Sequence, residues 1–127
     1  MKNLFKYSFL IVLAATLLLA SCQYDFVVEP APPDPGDTIS FSATILPIFN
    51  ENCVSCHGVG GIAPDLSEQN AYSSLQTSGM INKDIPEDSE IYTYPSASYT
   101  DKHIWKKYTE TEAALVLLWI EQGALNN

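Results

Sequence analysis

The chain of 127 residues is 46% hydrophobic and 17% charged, which fits one small globular domain with tails and argues against global disorder. It carries 15 acidic residues and 6 basic ones, for a formal net charge of −9. This balance excludes nucleic-acid binding through a basic groove and argues against adhesion to anionic lipid by charge alone. Because the chain has three cysteines and two histidines, any metal or redox site has to use nearly all of them.

The N-terminal segment, residues 1–21, has the pattern of an export signal. Lys2 and Lys6 precede an apolar run that ends at Ala20 and is shorter than the roughly 20 residues of a membrane span. The run closes as Leu-Ala-Ser before Cys22, and it resembles the lipobox of bacterial lipoproteins. The resemblance implies cleavage before Cys22, a diacylglycerol thioether on its sulfur and an acyl chain such as palmitate on its amino group. An ordinary signal peptide with an incidental cysteine is the alternative.

Residues 22–37 comprise this cysteine and a proline-rich linker. Four of the eight prolines fall within residues 30–35, a pattern that favours extended polyproline II, with a disordered tether as the alternative. The lipid would anchor the chain in the cell envelope, on the periplasmic side of the inner or outer membrane or on the cell surface. The remaining residues, 38–127, form the predicted domain.

Helical patterns dominate this domain and strand signals are weak, so we predict an all-α fold. A first helix at about 43–52 has Pro47 near its start, where proline is tolerated, and these residues on one side: Ile45, Ile48, Phe49 and Asn52. A second helix at about 68–77 has Ser67 as its cap and these residues inward: Ala71, Tyr72 and Leu75. A short helical turn follows at about 87–93.

The last helix has the clearest pattern. Thr109 and Glu112 are spaced as a capping box, an apolar run extends to Ile120, and Gly123 provides a stop. One broad apolar stripe is expected, made of Leu115, Val116, Leu118, Trp119, Ile120 and Gln122. We therefore expect this helix to be buried on several sides.

The sequence Cys53-Val-Ser-Cys56-His57 is the attachment pattern of c-type haem. Two thiols one helical turn apart can reach two vinyl groups on one porphyrin edge, and the adjacent imidazole can bind the iron axially. A thioredoxin-like motif would need a βαβ context, and a structural zinc site would need four ligands. A local disulfide would leave His57 without a role. The motif therefore predicts covalent haem c with His57 as the proximal iron ligand.

Three stretches of the domain resemble small cytochrome c domains of bacterial lipoproteins. They are Ile45–Phe49 ahead of the haem motif, the glycine-rich loop with Pro64 and Leu66, and the closing Trp119-Ile-Glu-Gln-Gly-Ala. The resemblance implies a class I cytochrome c fold of three or four short helices, with the first and last helices crossing beside the haem. It also implies that the Pro64 carbonyl accepts the other N–H of His57.

The sixth iron ligand stays open at this point. The residues available after the motif are His103 and Met80, because the position at which relatives carry methionine is Ile104. His103 is the expected distal ligand, Met80 is the alternative, and an open position is the third. Three lysines near His103 (Lys102, Lys106 and Lys107) would either offset haem propionates, with Trp105 donating to them, or lie in a solvated loop.

These observations predict a membrane-tethered monohaem cytochrome that carries single electrons between a donor and an acceptor protein of the envelope. The alternative is a haem-based module that binds or senses small ligands at an open sixth position. We find no constellation of catalytic residues, so an enzyme is not expected.

Overall fold

The computed structural model describes residues 6–7, 31–99, 101, 103–105 and 107–127. The signal segment apart from Lys6 and Tyr7, the lipidation position Cys22 and the linker up to Pro30 lie outside the described residues. So do Lys102 and Lys106. The predictions of export and lipidation therefore stay predictions.

The described part of the chain contains helices and turns and no strand, which confirms the all-α prediction. In chain order the elements are a π-helical turn (Phe41–Ile45), α1 (Leu46–Asn52), α2 (Val54–His57), α3 (Ala71–Ser78), a 3₁₀ turn (Pro86–Asp88), α4 (Glu90–Thr93) and α5 (Glu110–Glu121). Of the helices described, none combines the length and hydrophobicity needed to cross a bilayer.

The first helical segment is capped by Ser40 just before it and by Asn127 at the other end of the domain. The Ser40 hydroxyl accepts a hydrogen bond from the Ala43 amide at 3.2 Å, which satisfies one free donor of the first turn. Asn127 supplies two further acceptors, its side-chain oxygen for the Phe41 amide and its backbone oxygen for the Ser42 amide. Pro47 falls in the first turn of α1, where its missing N–H leaves no helical bond broken.

Helix α5 begins with the predicted capping box. The Thr109 hydroxyl accepts from the Glu112 amide, and the Glu112 carboxylate accepts from the Thr109 amide at 2.8 Å. The fully buried stripe comprises Val116, Trp119 and Ile120, whereas Leu115 and Leu118 are half-buried. All five of these residues belong to the predicted stripe, and its sixth member, Gln122, accepts a hydrogen bond from the Ile39 amide through its side-chain oxygen.

Aromatic rings join the first and last helical segments. The Phe41 ring lies 5.3 Å from Trp119, 5.3 Å from Tyr72 and 6.4 Å from Phe49, measured between ring centres. Phe49 and Trp119, expected as large apolar anchors, are fully buried. Packing of this kind is the main source of stability in so small a domain.

Helix α3 begins at Ala71, later than predicted, and the assignment of Ser67 as its cap is wrong. The Ser67 hydroxyl donates to the Asp65 carboxylate instead, and Asn70 occupies the capping position. The inward face is confirmed, since Ala71 and Leu75 are fully buried. The expected turn near 87–93 is present as the 3₁₀ turn and α4.

Candidate functional site

The haem-attachment pattern occupies the junction of α1 and α2. The Cys53 amide donates to the Phe49 carbonyl at 2.8 Å, and the His57 amide donates to the Cys53 carbonyl at 2.9 Å. The two thiols therefore lie one helical turn apart, as the spacing predicts. Cys53 is buried and Cys56 is exposed.

The His57 imidazole is oriented by backbone oxygens of the following loop. Its Nδ1 lies 3.1 Å from the Ile62 oxygen and 3.3 Å from the Pro64 oxygen. Because carbonyl oxygens only accept, Nδ1 carries the proton and Nε2 keeps its lone pair. The expected Pro64 contact is thus found at hydrogen-bonding distance. The closer partner, Ile62, was missed, since no side-chain pattern marks a backbone acceptor.

Glycines let this loop fold tightly against α2. The Ile62 amide donates to the Cys56 carbonyl at 2.9 Å, and the Gly61 amide donates to the Gly58 carbonyl at 2.9 Å. A Cβ on Gly61 would overlap the Cys56 carbonyl oxygen, so only glycine fits there. The loop returns at Leu66, whose amide donates to the His57 carbonyl.

Asp65 fixes the far end of the same loop. Its carboxylate accepts from the Ser67 hydroxyl at 2.6 Å, from the Ser67 amide at 3.0 Å and from the Asn70 side chain at 2.8 Å. These hydrogen bonds, led by that of the Ser67 hydroxyl, lower the pKa of Asp65 below its ordinary value of 3.8. The Asp65 amide in turn donates to the Ser74 hydroxyl of α3. The loop that presents the Pro64 oxygen is therefore tied to a helix.

His103 faces His57. The two imidazole centres are 6.1 Å apart and the ring planes are inclined by 15°. The two rings are therefore nearly parallel and close enough to contribute to one site.

One nitrogen of His103, the buried Nδ1, makes no hydrogen bond to a described residue. Burial, followed by the neighbouring His57 imidazole, lowers the pKa of His103 below 6.5. A neutral imidazole is the form that binds metals, so the surroundings favour the ligating state.

A cavity of about 360 Å³ is lined by both imidazoles. Its lining comprises Asn52, Cys53, Cys56, His57, Ile62, Ala63, Met80, Tyr94, His103 and Trp105. A smaller space of about 50 Å³ shares five of these residues and adds Pro64, Leu66, Glu90, Ile91 and Pro95. The structure thus brings together both thiols, the proximal histidine and both candidate distal ligands. It places His103 and Met80 on the same cavity.

Ligands for other metals are sparse in the part of the chain described. It contains no group of three or more His, Cys, Asp or Glu side chains arranged to hold a metal ion, whereas a structural zinc site uses four. A second cavity, of about 560 Å³, lies apart from the thiols, between α4 and the start of α5. None of the predicted site residues lines it.

Lys107 makes hydrogen bonds to the backbone, and its expected role in offsetting haem propionates stays a prediction. Its ammonium group donates to the Ser96 carbonyl at 3.0 Å and to the Tyr99 carbonyl, so it is bound to the backbone. Trp105 is 74% exposed and lines the 360 Å³ cavity.

No known protein family, curated protein or solved structure matches the chain. The function is therefore argued from the motif and from the geometry of this site.

Proposed function

We propose that the chain is a lipid-anchored monohaem c-type cytochrome that carries single electrons between redox proteins of the cell envelope. One observation carries the proposal: the ring centres of His57 and His103 lie 6.1 Å apart, and both rings line a cavity that both motif thiols also line. The unpartnered Nδ1 of His103 and the two carbonyls at His57 fit the same interpretation.

Each residue has a distinct task in this proposal. Cys53 and Cys56 would each add their S–H across one vinyl double bond of haem to form the two thioethers, and His57 would bind the iron through Nε2. The oxygens of Ile62 and Pro64 hold the His57 ring in one orientation and one tautomer. His103 is the proposed second axial ligand, with Met80 as the alternative. Bound haem supplies an iron that gains or loses one electron, and the axial ligand sets its potential.

We infer a class I cytochrome c-like arrangement for the described helices. Its support is that the attachment motif follows the first helix directly, while the last helix packs on that first segment through Trp119 and Phe41. In this proposal the cavity residues would hold haem, and the domain would carry electrons without catalysing a reaction.

The test is to express the full chain in cells that have haem c maturation machinery. We expect an added mass of about 616 Da, one haem joined through both thiols, and sharp α and β absorption bands after reduction. Carbon monoxide should leave those bands unchanged. A Cys53→Ala, Cys56→Ala variant serves as the control and should gain no haem mass.

The other outcomes are informative in different ways. Carbon monoxide binding by the reduced wild type would replace electron carriage with small-ligand binding at an open sixth position. Wild-type chain without added mass would overturn the haem proposal altogether.

Anchoring is tested separately. Wild type is expected in the membrane fraction, with lipid mass on Cys22, whereas Cys22→Ala should lose both. A Cys22→Ala protein that remains with the membrane would contradict the lipid anchor and leave the haem proposal unaffected.

A further inference from the structure

Lys107 closes the segment that carries His103. Its ammonium group reaches back to the carbonyls of Ser96 and Tyr99, and the next residue, Tyr108, donates its amide to the Pro95 carbonyl at 3.0 Å. The beginning and the end of the segment are therefore joined on either side of His103.

The charge of Lys107 suits this role. Its Nζ is a donor without acceptor capacity, and hydrogen bonds from a charged donor to carbonyl oxygens are stronger than neutral ones. Lys107 is also half-buried, which makes loss of these partners costly.

The residues beside His103 contribute little packing of their own. Ile104 is 61% exposed and Trp105 is 74% exposed, so their side chains do not fix the loop against the core. His57 on the opposite side is held by two carbonyls within five and seven residues of it. His103 has no such pair, and its Nδ1 is unpartnered among the residues described.

We infer that Lys107 is a positioning residue for the distal ligand: by binding the carbonyls of Ser96 and Tyr99 it holds His103 opposite His57. This inference rests on the proposed function, because the ligand has a role only when haem is attached. Lys107, four residues after His103, restrains His103 as the oxygens of Ile62 and Pro64 restrain His57.

The experiment uses the full chain matured with haem. Lys107→Met removes the donors and keeps the length of the side chain, Lys107→Arg restores a charged donor, and Lys83→Met is the control for loss of one positive charge at an exposed position. Carbon monoxide affinity of the reduced protein and the near-infrared ligand band are measured. These readouts report the axial ligand, whereas a merely structural role would change the unfolding curve alone.

We expect reduced Lys107→Met to bind carbon monoxide at concentrations that leave the wild-type bands unchanged, because a smaller fraction of His103 occupies the ligating position. Lys107→Arg should recover most of the wild-type behaviour, and Lys83→Met should match wild type. In a His103→Ala background, Lys107→Met should add nothing further.

A Lys107→Met protein with wild-type carbon monoxide affinity and ligand band would overturn the inference while leaving the proposed function in place. A ligand band in His103→Ala identical to that of wild type would also overturn it, since Met80 would then be the ligand. If Lys107→Met fails to accumulate, Lys107→Gln and Lys107→Arg are compared, and equal ligand bands in wild type and Lys107→Gln would reject the inference. Absence of haem from wild type would instead reject the proposed function.

Discussion

The two histidines of the site are held by different kinds of structure. His57 ends a helix, and its ring nitrogen meets two carbonyl oxygens of a loop that Gly61 and Asp65 fix in place. His103 lies outside the helices, next to the exposed Ile104 and Trp105, on a segment closed by Lys107 and Tyr108. His57 is therefore held by local backbone geometry, and His103 depends on contacts between more distant parts of the chain.

Removing each histidine in turn gives the sharpest test of this contrast and the largest expected effects. In haem-matured protein, His57→Ala should abolish the low-spin spectrum and reduce the yield of haem-loaded chain, because the motif loses its iron ligand. His103→Ala should keep the added haem mass and change only the axial-ligand bands. Equal loss of haem from both variants would contradict the contrast.

Gly61→Ala tests the loop whose carbonyl oxygens orient His57. A Cβ at this position overlaps the Cys56 carbonyl and lies 3.0 Å from that of Gly58, so we expect a loss of about 1–3 kcal/mol of unfolding free energy. Urea unfolding measures the change. Gly36→Ala is the control, since a Cβ at position 36 meets only an ordinary contact with Asp34. Equal stability of the two variants would show that the loop yields at little cost.

Tyr108→Phe tests the end of the segment that carries His103. Burial, followed by the charges of Cys53 and Glu112, raises the pKa of Tyr108 well above 10.0, so its hydroxyl stays protonated and donates to the Ile91 carbonyl at 3.1 Å. Loss of this hydrogen bond should cost about 1 kcal/mol, measured by urea unfolding. Tyr92→Phe, whose hydroxyl has no hydrogen bond to a described residue, is the control and should change stability less.

The smallest effect on stability is expected from protonation of the Asp65 carboxylate at low pH. The folded-state pKa of Asp65 is lowered, so its hydrogen bonds stabilise the fold fully above pH 3.8 and are lost as the pH falls below that value. Asp65→Asn should therefore be less stable than wild type at pH 7, and the difference should shrink towards pH 2. A difference that is constant from pH 7 to pH 2 would show that the carboxylate charge has no part in holding the loop.

Local sequence patterns predicted much of this fold. The Thr109–Glu112 capping box, Pro47 in the first turn of α1 and the buried anchors Phe49 and Trp119 follow from spacing within one element. The haem-attachment motif needs only five consecutive residues. These features depend on residues a few positions apart in the chain, so a local sequence pattern is enough to predict them.

Other features depend on partners that no short pattern specifies. Ser67 matches the preference for a helix cap, yet its hydroxyl donates to Asp65 two residues earlier. The Ile62 oxygen is a backbone group, so its approach to His57 is visible only once the loop has folded. The pairing of His103 with His57 and of Lys107 with Ser96 requires the whole chain. The sequence alone therefore left His103 and Met80 as competing ligands.

The unequal exposure of the two motif thiols gives the unloaded chain a built-in chemical reporter. Cys56 is open to solvent whereas Cys53 is only 9% exposed, so a thiol reagent such as iodoacetamide should alkylate Cys56 first. Peptide mapping of the modified chain would then show whether this pocket is folded, without requiring a bound chromophore. Unfolding would make the two sulfurs equally reactive.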